Sequence, residues 1–250
     1  MIPSYNCVAQ IGVLIADLAP YVGHWNEVWF VDNGSTDGTQ MEIQESIKRH
    51  FKTPVKVKIL QNSENVGLGG THKAVFKQVV ESEYCSVTVL HGDNQATISD
   101  AVQALNNHRN NPDAFILGSR FSERSTLIGY KKSRIAYNRI MNAIFGIMIK
   151  KTIQDLGSGL NIFPVAGIGN VSLDQLPNDL TFNIELLKWI AIEEREIIWL
   201  PITWREEGQV SNVKMVSQTL KSLKLCLMEF GKSGDKMSPK FFQSEINING

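Results

Sequence analysis

Short apolar runs alternate along this chain with stretches whose apolar positions recur every three or four residues. The runs Val28–Val31, Val55–Leu60, Val87–Leu90, Ala114–Leu117 and Ile197–Ile202 predict strands. The helical period predicts helices near Ala9–Leu18, Thr39–His50, Thr71–Glu81, Ser99–Asn107 and Phe182–Ile192. Ser35, Thr36 and Asp37 supply cap chemistry for the second helix, and Met41, Ile43 and Ile47 follow at core spacing. Strands and helices in this order form βαβ units, which predicts an α/β domain with a largely parallel sheet and helices on both faces. After about residue 122 the alternation weakens. A basic, partly apolar segment follows, and the stretch after Val213 is expected to form an amphipathic helix ending in a polar tail.

Composition narrows the classes. The 250 residues are 43% hydrophobic and 20% charged, enough apolar material for a full core. Twenty-five basic side chains balance 25 acidic ones, which argues against a nucleic-acid partner, since neutralising phosphates needs a basic excess. Cys7, Cys85 and Cys226 are too far apart for a disulfide framework or a metal knuckle. The longest apolar candidate, Ile140–Ile149, is interrupted by Asn142 and too short for the roughly 20 residues that span a bilayer. MIPSYN has neither the basic nor the apolar region of a signal peptide. The expectation is a cytoplasmic protein that is free to touch the membrane peripherally.

Candidate chemistry sits where strands end, the place at which open α/β sheets collect ligands. The second strand ends in Asp32-Asn33-Gly34-Ser35-Thr36-Asp37-Gly38, where Asp32 can accept hydrogen bonds from a base or ribose; a turn with a helix cap explains the same residues. Asn65-Val66-Gly67-Leu68-Gly69-Gly70 precedes a predicted helix and can present amides to phosphate, although His72 breaks the dinucleotide fingerprint. The fourth strand runs straight into His91-Gly92-Asp93-Asn94-Gln95. Asp93 and Gln95 are oxygen donors suited to Mg²⁺ or Mn²⁺, with His91 a third ligand or a hydrogen-bond partner.

Taken together, PSYN, VDNGSTDGT, NVGLGG, GDNQ, GSRF, QDLGSGLNIF and FNIELL resemble, in order and spacing, the family-two glycosyltransferases, and most nearly their dolichyl- or polyprenyl-phosphate sugar transferase branch. The resemblance implies a GT-A fold, a nucleotide-sugar donor and a divalent metal. It implies one glycosyltransferase domain over 1–250: a nucleotide-sugar half to about 122, an acceptor half from 123 to 215, and a C-terminal helix and tail over 216–250. By position, Pro3 and Tyr5 would meet the nucleobase, Asp32 the base or ribose, and Gly67 the donor. Asp93, with Gln95 and His91, would hold the metal. Arg120, Arg134 and Asn138 would hold the acceptor phosphate, and Asp155 and Ser158 match the acceptor-side motif. Glu185 matches a family acid that could act as base, while its spacing beside Phe182 and Leu186 suits a structural role equally. Arg205 and Ser211 match a loop over the donor phosphates.

The departures bear on the donor. Cys7, Asn33 and His91 each stand where the family has an acid, and Asn138 replaces a serine. Between Glu123 and Asp155 there is no acidic residue, while Arg124, Lys131, Lys132, Arg134, Arg139, Lys150 and Lys151 all occur. Ile140, Ile144, Phe145 and Ile149 share a helical face there. Such a segment suits docking on an anionic membrane and reception of a lipid phosphate; it suits a core helix with solvated ends as well. The reading is an inverting, metal-dependent transferase acting on a polyprenyl-phosphate-type lipid or a cell-surface glycan. A non-catalytic nucleotide-sugar binder and a sugar-phosphate nucleotidyltransferase are the rivals, the last lacking its glycine-rich loop on the first strand.

Overall fold

The structure, a computed structural model, describes residues 1–52 and 54–206, and the backbone of 241–246. Its elements follow the predicted alternation. β1 (Ile2–Ser4), α1 (Val8–Leu18), β2 (Glu27–Asp32), α2 (Thr39–His50), β3 (Lys56–Asn62), α3 (Gly67–Val80), β4 (Ser86–Leu90), α4 (Ile98–Asn110) and β5 (Phe115–Ser119) form the first half. Then come β6 (Thr126–Ile128), α5 (Lys132–Ile149), β7 (Leu160–Pro164), the short α6 (Val165–Ile168), α7 (Phe182–Ile192), β8 (Ile197–Pro201), β9 (Thr203–Arg205) and β10 (Phe241–Ile246).

The strands form a sheet of order β1-β2-β3-β10, a sheet of order β4-β7-β5-β8 and a ribbon of β6 with β9. The β1–β2, β2–β3, β5–β8 and β6–β9 pairs are parallel, while β7 runs antiparallel to β4 and β5, and β10 antiparallel to β3. The two larger sheets meet where β1 passes β4: Met1 donates to Thr88 O, Leu90 N to Met1 O and Gly92 N to Pro3 O. Alternating side chains feed two cores. Val28, Phe30 and Ile59 face α1, α2 and α4; Trp29, Val31 and Val89 face α3 and α7.

Three expectations change. Met41 is 63% exposed although Ile43 and Ile47 are fully buried, so only the i, i+4 pair belongs to the core stripe of α2. Phe241–Ile246, expected in a polar tail, is a strand on the edge of β3; the helix expected before it lies outside the described residues. The apolar positions of α5 do not share one environment. Ile144, Phe145 and Ile149 turn to the protein, while Ile140 and Ile147 are 59% and 78% exposed. Among the described residues, no helix is long and apolar enough to cross a membrane.

Candidate active site

The ends of β1, β2 and β4 lie side by side and assemble one end of the candidate site. Pro3 sits in register with Val31, its carbonyl held by Gly92 N, and the Tyr5 ring beyond it is 40% exposed. Asp32 is fully buried. Its Oδ1 accepts from the Ser35 amide and hydroxyl, whereas Oδ2 is buried without a partner. Burial holds this carboxyl above its ordinary range. A buried acceptor lacking a donor costs about 1–3 kcal/mol, and a base N–H or ribose O–H would supply one.

Two neighbouring turns are structural. Ser35, Thr36 and Asp37 do not occupy the N-cap of α2, which is Gly38 at φ 94. Asp37 Oδ1 still accepts from Thr39 N, the first amide of α2, at 3.0 Å, and the turn is also tied to the segment between β1 and α1: Asn6 N donates to Ser35 Oγ, Thr36 N to Asn6 Oδ1 and Val8 N to Asp37 Oδ2. Asn33 accepts from Asn62 Nδ2 (2.9 Å) and Val66 N (3.1 Å) and donates to Asn65 Oδ1 (2.9 Å). A carboxylate cannot make that donation. Cys7 likewise packs rather than reacts: burial pushes its thiol up to about 11.

The glycine turn does not cradle phosphate. Gly67 N is committed to Asn65 Oδ1 at 2.8 Å, and Gly67 takes φ 79 where an added Cβ would run into Asn178 O. At Gly69 an added Cβ would run into Pro177 O and lie 2.6 Å from Phe182 Cβ. The helix starts at Gly67, four residues before Thr71, because these glycines let it lie against the segment preceding α7.

After β4 the chain turns through Asn94 at φ 56, and Asp93 Oδ1 accepts from Gln95 N at 3.2 Å. Desolvation pushes the Asp93 carboxyl up to about 6, and the charge of Arg120 acts against that rise. The His91 ring packs on Gly159 and meets His72 edge-on at 6.0 Å between centroids. Burial and the nearby Arg120 lower it to about 4, and its buried Nε2 has no partner. A neutral imidazole nitrogen without a partner and a desolvated carboxylate are donor types that a divalent cation takes, with Mn²⁺ the better match to the imidazole. Among the described residues no group of three or more His, Cys, Asp or Glu is gathered, so the donor set is thin. β9 closes this end: Trp204 bridges to Ala96 and Arg205 N donates to Gln95 O at 2.8 Å, which places the exposed Arg205 beside the Asp93 turn. Ser211 lies outside the described residues.

The other end of the candidate site is built on Arg120, just after β5. Asp155, its side chain fully buried, accepts from Arg120 N (2.9 Å), Nε (2.8 Å) and Nη2 (2.7 Å) and from Gly157 N (3.1 Å). Burial opposes the Arg120 charge, but Asp155 outweighs it and holds the guanidinium above its ordinary value. Asp155 is therefore saturated and anchors Arg120 rather than meeting an acceptor. Ser158 is withdrawn too, buried and donating to Leu160 O. Tyr130 is the hub that the sequence did not reveal. Its hydroxyl takes hydrogen bonds from Arg120 Nη1 (3.5 Å) and Asn138 Nδ2 (3.0 Å), and the Arg134 guanidinium lies 5.0 Å from its ring centroid. Arg134 pairs with Glu206, another residue missed, and keeps a buried, unpartnered Nε. Trp204 lies under Arg120 at 5.1 Å. Both missed aromatics sit in short strands or turns without periodicity, where no pattern marks them. Glu185 is 2% exposed in α7, 3.7 Å from Lys188, and burial raises its carboxyl against the pull of that lysine.

Comparison with known proteins bears on this geometry. The sequence model of Glycosyl transferase family 2 matches residues 1–168. No curated protein matches the sequence. Among solved structures, the chain is similar to mannosyl-3-phosphoglycerate synthase from Rubrobacter xylanophilus, with TM-score 0.60 and 13% identity over 90% of this chain and 71% of that one. It is similar to glucosyl-3-phosphoglycerate synthase from Mycobacterium tuberculosis in complex with UDP, with TM-score 0.59 and 15% identity over 90% and 79% of the two chains. The same enzyme in complex with Mn²⁺, UDP and phosphoglyceric acid gives TM-score 0.63 and 13% identity over 99% and 87%. At such identities the likeness is one of fold.

Proposed function

The chain belongs to glycosyl transferase family 2 and has a GT-A-type α/β fold, and from that premise we propose that it moves a sugar from a nucleoside-diphosphate sugar onto an acceptor that presents a phosphate. The observation carrying this reading is the pair of guanidinium groups gathered on Tyr130, with Arg120 locked by Asp155 and Arg134 keeping an unpartnered Nε. Rigid guanidinium donors match phosphate oxygens in number and direction.

At the donor end, the Tyr5 ring and Asp32 Oδ2 are offered to the nucleoside, and Arg205 to the diphosphate. Asp93, Gln95 and His91 would hold Mg²⁺ or Mn²⁺, which when bound offsets the charge that builds on the departing diphosphate. At the acceptor end, Arg134 and Nη1 of Arg120 orient the phosphate, while Asn138 Nδ2, committed to the Tyr130 hydroxyl and Arg134 O, holds those groups in place. One of its oxygens forms a bond to the anomeric carbon as the bond from that carbon to the diphosphate oxygen breaks, which inverts the anomeric centre. An acceptor that is already anionic has no proton to lose, so Glu185 takes none in this scheme.

The acceptor class we propose is a polyprenyl-phosphate-type lipid rather than a glycan hydroxyl. Support comes from the outward face of α5 and its ends, where exposed Ile140 and Ile147 are accompanied by exposed Lys132, Arg139 and Lys150. Apolar side chains ringed by cations suit the interface of an anionic membrane.

The first test is thermal unfolding with a panel of nucleoside diphosphates, with and without Mn²⁺, on the wild type and Asp93→Ala. Ligand at about 100 times its Kd adds about 2.7 kcal/mol. A metal-dependent shift for one nucleotide, lost in Asp93→Ala, is expected; no shift with any nucleotide overturns the donor reading. Labelled donor is then offered with polyprenyl phosphate, a phosphorylated glycerate or an oligosaccharide. Transfer to the oligosaccharide alone overturns the phosphate reading, and transfer to the glycerate alone overturns the lipid. Failure to bind anionic vesicles at low salt overturns the docking of α5.

A further inference from the structure

Arg134 is held from two sides. On one, the Tyr130 ring lies 5.0 Å from its guanidinium carbon, and its Nε is buried. On the other stands Glu206, just after β9, whose carboxylate accepts from Nη1 and pairs with its charge. The segment around Arg134 supplies no acid of its own between Glu123 and Asp155. Asp155 is already taken by Arg120 and Gly157 N. Among the described residues, then, the counter-charge of Arg134 is Glu206, brought from a different element.

The backbone of Glu206 is fixed independently of that pair. Its N–H donates to Ile128 O at 2.9 Å, and an added Cβ at Gly129 (φ 72) would lie 2.5 Å from Glu206 O. One residue earlier, Arg205 N donates to Gln95 O at 2.8 Å. The carboxylate is thus set against Arg134 by bonds it does not itself make, and rotation of one side chain releases it. The pair is also incomplete. A guanidinium is best matched by two parallel N–H bonds, whereas this carboxylate takes Nη1 and leaves Nε without a partner. Both side chains keep some solvent contact, 25% for Arg134 and 15% for Glu206, so a ligand can reach the pair. Once Glu206 leaves, the Tyr130 ring and the burial of Nε still hold the guanidinium in place.

We propose that Glu206 is an internal competitor of the acceptor: its carboxylate occupies Arg134 where the acceptor phosphate binds, and the acceptor enters by displacing it. The inference rests on the phosphate-acceptor reading above and adds a residue that sets the affinity of that site. A phosphate group brings more charge and more oxygens than the carboxylate it replaces, so it wins the exchange. A neutral hydroxyl acceptor brings neither and leaves the pair closed. Because only the open fraction of the protein is competent, the closed pair lowers the apparent affinity for every ligand of Arg134 by the same factor.

The test is calorimetric titration of the full chain with two probes, inorganic phosphate and a short prenyl monophosphate. Wild type, Glu206→Gln, Arg134→Met and the double variant are compared. Glu206→Gln keeps the shape of the side chain and removes its charge. It is expected to bind both probes about tenfold more tightly, the worth of a half-exposed hydrogen bond to a charged group. Its melting midpoint is expected to fall by up to about 4 °C, since an ion pair is lost. A residue that only braced the ribbon of β6 and β9 would lose affinity and stability together. Glu206→Gln binding no tighter than wild type, while Arg134→Met loses affinity, overturns the competitor and leaves the phosphate reading standing. Arg134→Met binding as wild type does overturns the phosphate reading, and the competitor with it. The gain should vanish in the Arg134→Met background; a gain that persists there comes from the field of the charge and overturns the contact with Arg134. A gain with inorganic phosphate but none with the prenyl phosphate overturns the competitor for a lipid acceptor.

Discussion

Replacing Asp155 by Asn tests the anchor on which the acceptor end depends. The side chain keeps its shape, but one oxygen becomes an NH₂ facing the Arg120 donors, and the guanidinium loses its counter-charge while only 11% exposed. Removing one partner of a buried ion pair costs about 3–5 kcal/mol. Arg120 retains Gly157 O at 2.9 Å, the Tyr130 hydroxyl and the Trp204 face, which argues for the lower end, about 3 kcal/mol. For a domain of this size that lowers the melting midpoint by roughly 6–12 °C. Urea unfolding at neutral pH measures it as a fall in midpoint with an unchanged slope. Asp155→Leu alone, Arg120→Met alone and the two combined form a double-mutant cycle with the wild type. The double variant should lose far less than the sum of the singles, since neither charge is left buried alone. A loss under about 1 kcal/mol for Asp155→Asn, or additivity in the cycle, refutes the claim that this buried pair holds the site.

Asn33→Asp should destabilise by about 1–3 kcal/mol, because the Asn65 carbonyl loses its donor and gains a charged neighbour; a chemical denaturation curve matching wild type would count against the bridging role. Tyr130→Phe removes the acceptor shared by Arg120 and Asn138, and should raise the KM for acceptor about fivefold, near 1 kcal/mol, while leaving the KM for donor unchanged. Equal changes in both constants would point to general disorder of the site. Burial raises Glu27, but the hydrogen bond from Tyr84 and the Lys58 ammonium outweigh it and hold the carboxyl below its ordinary value. A depressed carboxyl binds fewer protons folded than unfolded, so its contribution is present above about pH 4.5 and falls away as pH drops through the lower folded value. Glu27→Gln should therefore lose least relative to wild type at the acid end, and a difference in unfolding free energy that stays constant from pH 6 to 3 would contradict the linkage.

The sequence by itself determined the order of elements, because burying one face imposes a period of two on strands and 3.6 on helices, and both periods survive in the chain. It also determined that polar residues crowd the ends of β2 and β4. Local pattern failed where partners come from elsewhere. Gly67 and Gly69 look like a phosphate loop in sequence, and only the Pro177–Asn178 segment, more than a hundred residues later, shows that they make room for backbone. Asp155 looks like an acceptor ligand until Arg120 and Gly157 N saturate it, and Ser158 until burial turns its hydroxyl to Leu160 O. Asn33 looks like a lost acid until Asn62 and Asn65 show why it must donate as well as accept. Tyr130, Trp204 and Glu206 gain their meaning from the parallel pairing of β6 with β9, which no run of residues encodes. Hydrophobic periodicity is a one-dimensional record of burial and is written locally. Hydrogen-bond saturation and the pairing of buried charge depend on contacts between distant segments, and they exist only once the chain has folded.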